Sequence, residues 1–153
     1  MKLETLYQEI ILDHYRNPVG RGLRDPFDVE VHHVNPTCGD EISLRVRLAG
    51  PTSDPVIEDI SYQAQGCSIS QASTSVMCEL LKGSPLSASL AVQGAFLAMM
   101  QSQGEPDEDQ LGDAIAFAGV AQYPARIKCA LLGWMALKDA CAQAVDIRIK
   151  ENA

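Results

Sequence analysis

From Leu3 to Tyr15 the apolar residues Leu3, Leu6, Tyr7, Ile10 and Ile11, with His14 closing the series, recur at three- and four-residue intervals, the period of a helix with one buried face. Asn17-Pro18 stops that helix, and Pro18, Gly20 and Gly22 mark 17–27 as a loop. Three strand-like runs follow, at Asp28 to Val34, Ile42 to Ala49 and Val56 to Gln65. In the middle run Ile42, Leu44, Val46 and Leu48 alternate with Ser43, Arg45 and Arg47, which buries one face and wets the other. The stretch Gly50 to Pro55 reads as the turn to the third strand, so the three runs predict an antiparallel meander.

Beyond Gly66 the period becomes helical. Ser68-Ile69-Ser70-Gln71 has the spacing of a capping box, predicting a helix to about Leu81 that Lys82-Gly83-Ser84-Pro85 ends. A second helix is expected from Leu86 to Gln101, then the acidic stretch Glu105 to Asp109 as a solvated loop, then a shorter helix near Leu111 to Ala118. Pro124 opens the last helix, on which Ile127, Leu131, Trp134 and Leu137 share a face. Helix, three strands and then helices predict an α+β fold, with helices covering one face of a small three-stranded antiparallel sheet. With 153 residues, 46% of them hydrophobic, and no linker or repeat, residues 1–153 are expected to form a single domain.

The net charge of -8 and the scatter of the twelve basic residues exclude a nucleic-acid binder. The N-terminus lacks an apolar signal core and no apolar run is long enough to span a bilayer, so a soluble, cytoplasmic protein is expected. Five cysteines are an odd number for a disulfide framework, which leaves thiols or metal ligands.

Cys38 and Asp40 stand two residues apart between two strands, flanked by Pro36 and Gly39, so thiol and carboxylate can face one point. Cys67 follows Gly66 where a strand gives way to a helix, and Cys129 is expected in the first turn of the last helix. Helix N-termini favour thiolates. Three thiolates and a carboxylate suit tetrahedral zinc, while iron in a cluster also accepts thiolates. Such a zinc site carries a net charge of about -2, and Arg126 and Lys128 are candidates to offset it. Cys78 and Cys141, mid-helix and near a helix end, read as packing residues. His32 and His33 point to opposite faces of their strand and read as solvated or satisfied side chains, and His14 as a packing or partner-contact residue.

The blocks Asn-Pro-Thr-Cys-Gly-Asp at 35–40, Gly-Cys-Ser-Ile-Ser-Gln-Ala-Ser at 66–73 and Arg-Ile-Lys-Cys-Ala-Leu-Leu-Gly-Trp at 126–134 resemble the SufU branch of the IscU-like iron–sulfur assembly proteins. Tyr7 to Pro18, with Asp13-His14-Tyr15, is similar to that family as well, so the resemblance covers nearly the whole chain. It implies a zinc ion on Cys38, Asp40, Cys67 and Cys129, a SufS-type cysteine desulfurase as partner, and a downstream iron–sulfur scaffold of the Suf system. The IscU-type scaffolds have His before the last ligand cysteine, where this chain has Lys128, and lack most of the stretch 83–122. Both features favour a zinc-dependent sulfurtransferase, with a scaffold that assembles an iron–sulfur cluster as the alternative. Cys38 is the expected sulfur acceptor, because its loop can swing out while the other two cysteines are held at helix starts. The resemblance further implies that a partner residue replaces Cys38 on the metal during transfer.

Overall fold

A computed structural model describes residues 3–151. Met1 and Lys2, at the start of the segment read above as lacking a signal core, and Asn152 and Ala153 lie outside the described residues. The order is α1 (Leu3–Arg16), β1 (Val29–Asn35), β2 (Asp40–Ala49), β3 (Val56–Gln65), α2 (Ser68–Leu81), α3 (Leu86–Met100), α4 (Glu108–Leu111), a 3-10 helix (Gly112–Gln122) and α5 (Pro124–Glu151). The sheet runs β1-β2-β3 with both pairs antiparallel, as the alternating pattern predicts. Along β2 the residues Asp40, Ile42, Leu44, Val46 and Leu48 are all buried. The charged arginines between them lie on the wetter face, so the hydrophobic effect sets the side on which helices pack.

Helix α5 crosses that face against β1 and β2. Its far end is tied to the sheet by Arg148, whose guanidinium donates to the carbonyls of Leu48 at 3.2 Å and Gly50 at 2.6 Å. Helix α2 packs on α5 so closely that a Cβ on Gly133 would stand 3.0 Å from Thr74 Cβ. Trp134 stacks on Phe96 with ring centroids 4.2 Å apart and donates its indole N–H to Ser73 Oγ at 3.0 Å, so its one polar atom is satisfied inside the core.

The outer edge of β3 is sealed by segments that are not strands. Gly22 donates to the carbonyl of Tyr62 and Tyr62 N–H donates to Gly20, at 2.7 and 3.0 Å. Lower down, Ile57 N–H donates to Ser84 and Gly83 donates to Ile57, at 3.0 and 2.7 Å.

Four features differ from expectation. Strand β2 starts at Asp40 rather than Ile42, because Asn35 and Asp40 form the last register pair of the β1-β2 hairpin. Ser68 does not cap α2: Cys67 holds the cap position, no side chain satisfies the cap, and Gln71 Nε2 donates to Gly66 O at 2.9 Å. The helix expected near 111–118 is a four-residue α4 followed by the 3-10 helix, with the break at Gly112, whose φ is +53°. Part of the supposed acidic loop starts α4, since Asp107 accepts from the amides of Asp109 and Gln110.

Candidate metal centre

The hairpin between β1 and β2 is short. Only residues 36–39 separate the paired Asn35 and Asp40, and Gly39 donates back to Asn35 O at 2.8 Å with a φ of +75° that only glycine adopts without strain. Cys38 is therefore exposed at the tip of a turn, and Asp40, two residues on, already points into the buried face of β2 at 2% exposure. At the far end of the sheet's third strand, Gly66 allows Cys67 to approach: the Cys67 amide donates to Asp40 Oδ1 at 3.0 Å and Cys67 Sγ lies 3.6 Å from Asp40 Oδ2. A Cβ on Gly66 would collide with the carboxylate, 2.6 Å from Asp40 Cγ, so this glycine is the gap through which the two elements meet. Ser70 hydrogen-bonds the Cys67 carbonyl at 3.0 Å and steadies the start of α2.

Cys129 closes the group from α5, with its Sγ 3.5 Å from Cys38 Sγ. It is the sixth residue of a helix that begins at Pro124, so it sits in the second turn rather than the first, and its Sγ faces Ala125 O at 3.7 Å. The helix dipole therefore favours a thiolate less at Cys129 than at Cys67, whose place at the cap of α2 matches expectation. Donor atoms of Cys38, Asp40 and Cys129 all lie within 4.8 Å of one another, and Cys67 joins from the Asp40 side.

Burial would raise the Asp40 carboxyl, but hydrogen bonds with the thiols of Cys38, Cys129 and Cys67 and from the Cys67 amide outweigh it and hold the group below its usual value. Burial pushes the Cys129 thiol up, and its contacts with Asp40, Cys38 and Cys67 push it further in the same direction. A buried carboxylate held in its charged form calls for a cation. Yet none of the ion pairs among the described residues includes Asp40.

The spacing fits a metal ion. Tetrahedral zinc with the usual bond lengths sets sulfurs about 3.8 Å apart and sulfur and oxygen about 3.5 Å apart. The thiol pair and the Cys67–Asp40 pair, at 3.5 and 3.6 Å, are close to those values. Arg126 and Lys128 are both exposed. Arg126 lines a hollow of about 640 Å³ beside Cys67, with Tyr7, Ile69 and Tyr123 among its walls. The histidines adjoining the hairpin are occupied elsewhere, His32 Nδ1 with Ser43 Oγ at 3.0 Å and His33 Nε2 with Asp139 at 2.8 Å. Cys78 and Cys141 are buried, and burial pushes both thiols up to about 12, as packing residues require. Gly66 stood out in the sequence by its place before Cys67, and the steric gap gives its reason. Ser70 is the site residue that spacing did not single out, and only its hydrogen bond reveals it.

Residues 6–130 match the family model for the NifU-like N-terminal domain. A relative from Bacillus subtilis (strain 168), named zinc-dependent sulfurtransferase SufU, is 43% identical over 92% of this chain and 92% of its own. The iron–sulfur cluster assembly scaffold protein IscU of Streptococcus pyogenes is 42% identical over 91% of this chain and 84% of its own. A solved structure from Fervidobacterium islandicum AW-1, described as an iron–sulfur cluster assembly scaffold for the SUF system, superimposes with a TM-score of 0.73 at 32% identity, covering 91% of this chain and 98% of that one. No helix among the described residues is long and apolar enough to cross a membrane. With that extent of match in sequence and in fold, the chain belongs to the NifU-like N-terminal domain family, alongside the SufU and IscU proteins it resembles.

Proposed function

We propose that this protein carries sulfur for iron–sulfur cluster assembly in the cytoplasm, accepting it from a SufS-type cysteine desulfurase on Cys38 and passing it to a downstream scaffold of the Suf system. The observation that carries this reading is the contrast within one donor set: Cys38 is exposed at a turn, whereas Asp40 and Cys129 beside it are 2% and 1% exposed. Cys38, Asp40, Cys67 and Cys129 would hold a zinc ion, which would keep the thiols deprotonated when bound. The name of the Bacillus subtilis relative supports zinc and sulfur transfer together.

The chemistry then follows from the exposed sulfur. As a thiolate, Cys38 attacks the outer sulfur of a persulfide on the desulfurase. A new S–S bond forms on Cys38, the S–S bond on the desulfurase breaks, and the desulfurase thiolate leaves with the electron pair. The sulfane sulfur moves without net oxidation or reduction. Asp40, held by the Cys67 amide, and the buried Cys129 keep the remaining donors in place while Cys38 is engaged. Arg126 and Lys128, exposed beside this cluster, would temper its negative charge.

A second reading, a scaffold assembling a cluster on the same four side chains, has its support in the nearly equal identity to the Streptococcus pyogenes relative. Metal analysis of freshly purified protein separates them, with zinc and no colour expected for the carrier and iron with a brown chromophore for the scaffold. For the carrier, Cys38→Ser should remain folded but bring desulfurase turnover down to the level of the desulfurase alone. Normal stimulation by Cys38→Ser would overturn the acceptor role.

A further inference from the structure

At the other end of α2 from Cys67, three side chains from three elements converge on a hollow of about 220 Å³: His14 of α1, Glu79 of α2 and Asp113 of the 3-10 helix. Glu79 is twelve residues along α2 from Cys67, roughly 18 Å at the rise of an α-helix, so this cluster is separate from the sulfur centre. A ring nitrogen of His14 and carboxylate oxygens of Glu79 and Asp113 lie within 4.8 Å of one another.

His14 is the telling member. It is 95% buried by its 5% exposure, and its Nδ1 lies 2.8 Å from Ser75 Oγ, which also accepts the Val19 amide at 2.7 Å. The hydroxyl has two acceptor lone pairs, so it can take both Val19 N–H and Nδ1–H, and in that tautomer the Nε2 lone pair is free to meet a cation. Nε2 stands 3.4 Å from Glu79 Oε2 and makes no hydrogen bond there. A charge-assisted N–H to carboxylate bond closes to about 2.8 Å. Two donors on a tetrahedral first-row cation, by contrast, are about 3.4 Å apart. A metal-binding histidine usually donates its other ring N–H to an outer acceptor, and Ser75 Oγ is placed to accept from Nδ1 here. Among the described residues the two carboxylates have no Lys or Arg partner, and the one ion pair recorded for either is that of Glu79 with His14.

We propose that His14, Glu79 and Asp113 form a second divalent-cation site that joins α1 and the 3-10 helix to α2. Its imidazole and carboxylate donors suit a first-row ion of the Mn²⁺ to Zn²⁺ range and differ in kind from the thiol-rich centre, which selects softer metals. Glu79 and Asp113 are exposed, so the ion has a path in and the carboxylates can turn to complete the bonds.

The test adds Mn²⁺ to the zinc-loaded full-length protein and follows free Mn²⁺ by electron paramagnetic resonance, with zinc content measured in parallel. One Mn²⁺ per chain is expected, with zinc retained and a higher melting temperature. The double variant Glu79→Gln, Asp113→Asn alters only exposed side chains and should fold, keep its zinc and lose both the Mn²⁺ and the stabilisation. A control pair on the acidic stretch, Glu105→Gln with Asp109→Asn, should bind Mn²⁺ as the parent does. The proposal is overturned if the parent binds no Mn²⁺, if the double variant binds it equally well, or if the control pair is what abolishes binding. A pH dependence of stability through the imidazole range that the parent shows without Mn²⁺ and the double variant lacks would also overturn it, since His14 would then be a simple ion-pair partner of Glu79, whereas the His33–Asp139 pair contributes equally to both proteins.

Discussion

Cys129 and Cys141 lie on the same helix, twelve residues apart, and are equally buried at 1% exposure. Their surroundings differ completely. Cys129 has a second thiol 3.5 Å away and shares hydrogen bonds with Asp40, while Cys141 is raised to about 12 by burial alone. Burial therefore does not distinguish a cysteine of the candidate metal centre from a packing one in this protein. The distinction is polar company at the point where the hairpin tip, the start of α2 and α5 meet.

The largest expected effect breaks that comparison directly. Cys129→Ala should lose zinc, and with it the stabilisation that ligand binding adds to folding, about 4 kcal/mol when free zinc is a thousandfold above its dissociation constant. Metal analysis and denaturant melts of the variant with and without added zinc would measure it. If the melting curve is unchanged by zinc in the parent protein, the centre does not join the sheet to α5. Gly66→Ala comes next, since its Cβ would strike the Asp40 carboxylate while the backbone φ of +156° is itself unfavourable for alanine. A loss of about 3 kcal/mol and partial zinc loss are expected, checked by the same melts and by zinc content. Cys141→Ala, on the other side of the comparison, should keep its zinc and lose about 1 kcal/mol from packing.

The smallest effect sharpens the contrast between carboxylates. Among the described residues Asp40 has no basic partner, whereas Asp59 accepts from Arg24 at 2.9 and 3.0 Å and is held below the usual carboxylate value chiefly by that hydrogen bonding. Asp59→Asn should cost about 0.5 kcal/mol, discounted because Arg24 is 42% exposed in its side chain. The difference from the parent should be full above the unfolded carboxylate value of about 3.9 and vanish as pH falls through the depressed folded value. Urea titrations at several pH values would show it. A gap that widens on acidification would mean that Asp59 does not draw its stabilisation from Arg24.

How much of this was legible beforehand depends on which interactions are local. The strands were legible because Ile42, Leu44, Val46 and Leu48 carry the two-residue period in their own sequence, and β3 has the bounds that its pattern predicts. The positions of Cys38, Asp40 and Cys67 beside their glycines pointed to one centre for the same reason. The 3-10 helix was not legible: Gly112–Gln122 is Ala- and Gly-rich and apolar on several sides, with no period to mark its type. The cap of α2 was not legible either, because Ser68 and Gln71 mimic a capping box, while the Asp40 carboxylate, twenty-seven residues from Cys67 in the chain, takes up the Cys67 amide. Ser75, which orients His14 from 61 residues away, leaves no local trace at all.

The sealed outer edge of β3 also governs how this protein meets copies of itself. A sheet grows by offering unpaired backbone groups to another strand, and on β3 the groups at Ile57 and Tyr62 are already taken by Gly83, Ser84, Gly20 and Gly22. Recruitment of a foreign strand is left to β1, whose outward residues Glu30, His32 and Val34 include a charge and a polar ring that hinder a dry seam. A concentrated solution of the folded chain should therefore resist fibril formation, and loosening the loop around Gly20 to Gly22 would expose the edge from which aggregation starts.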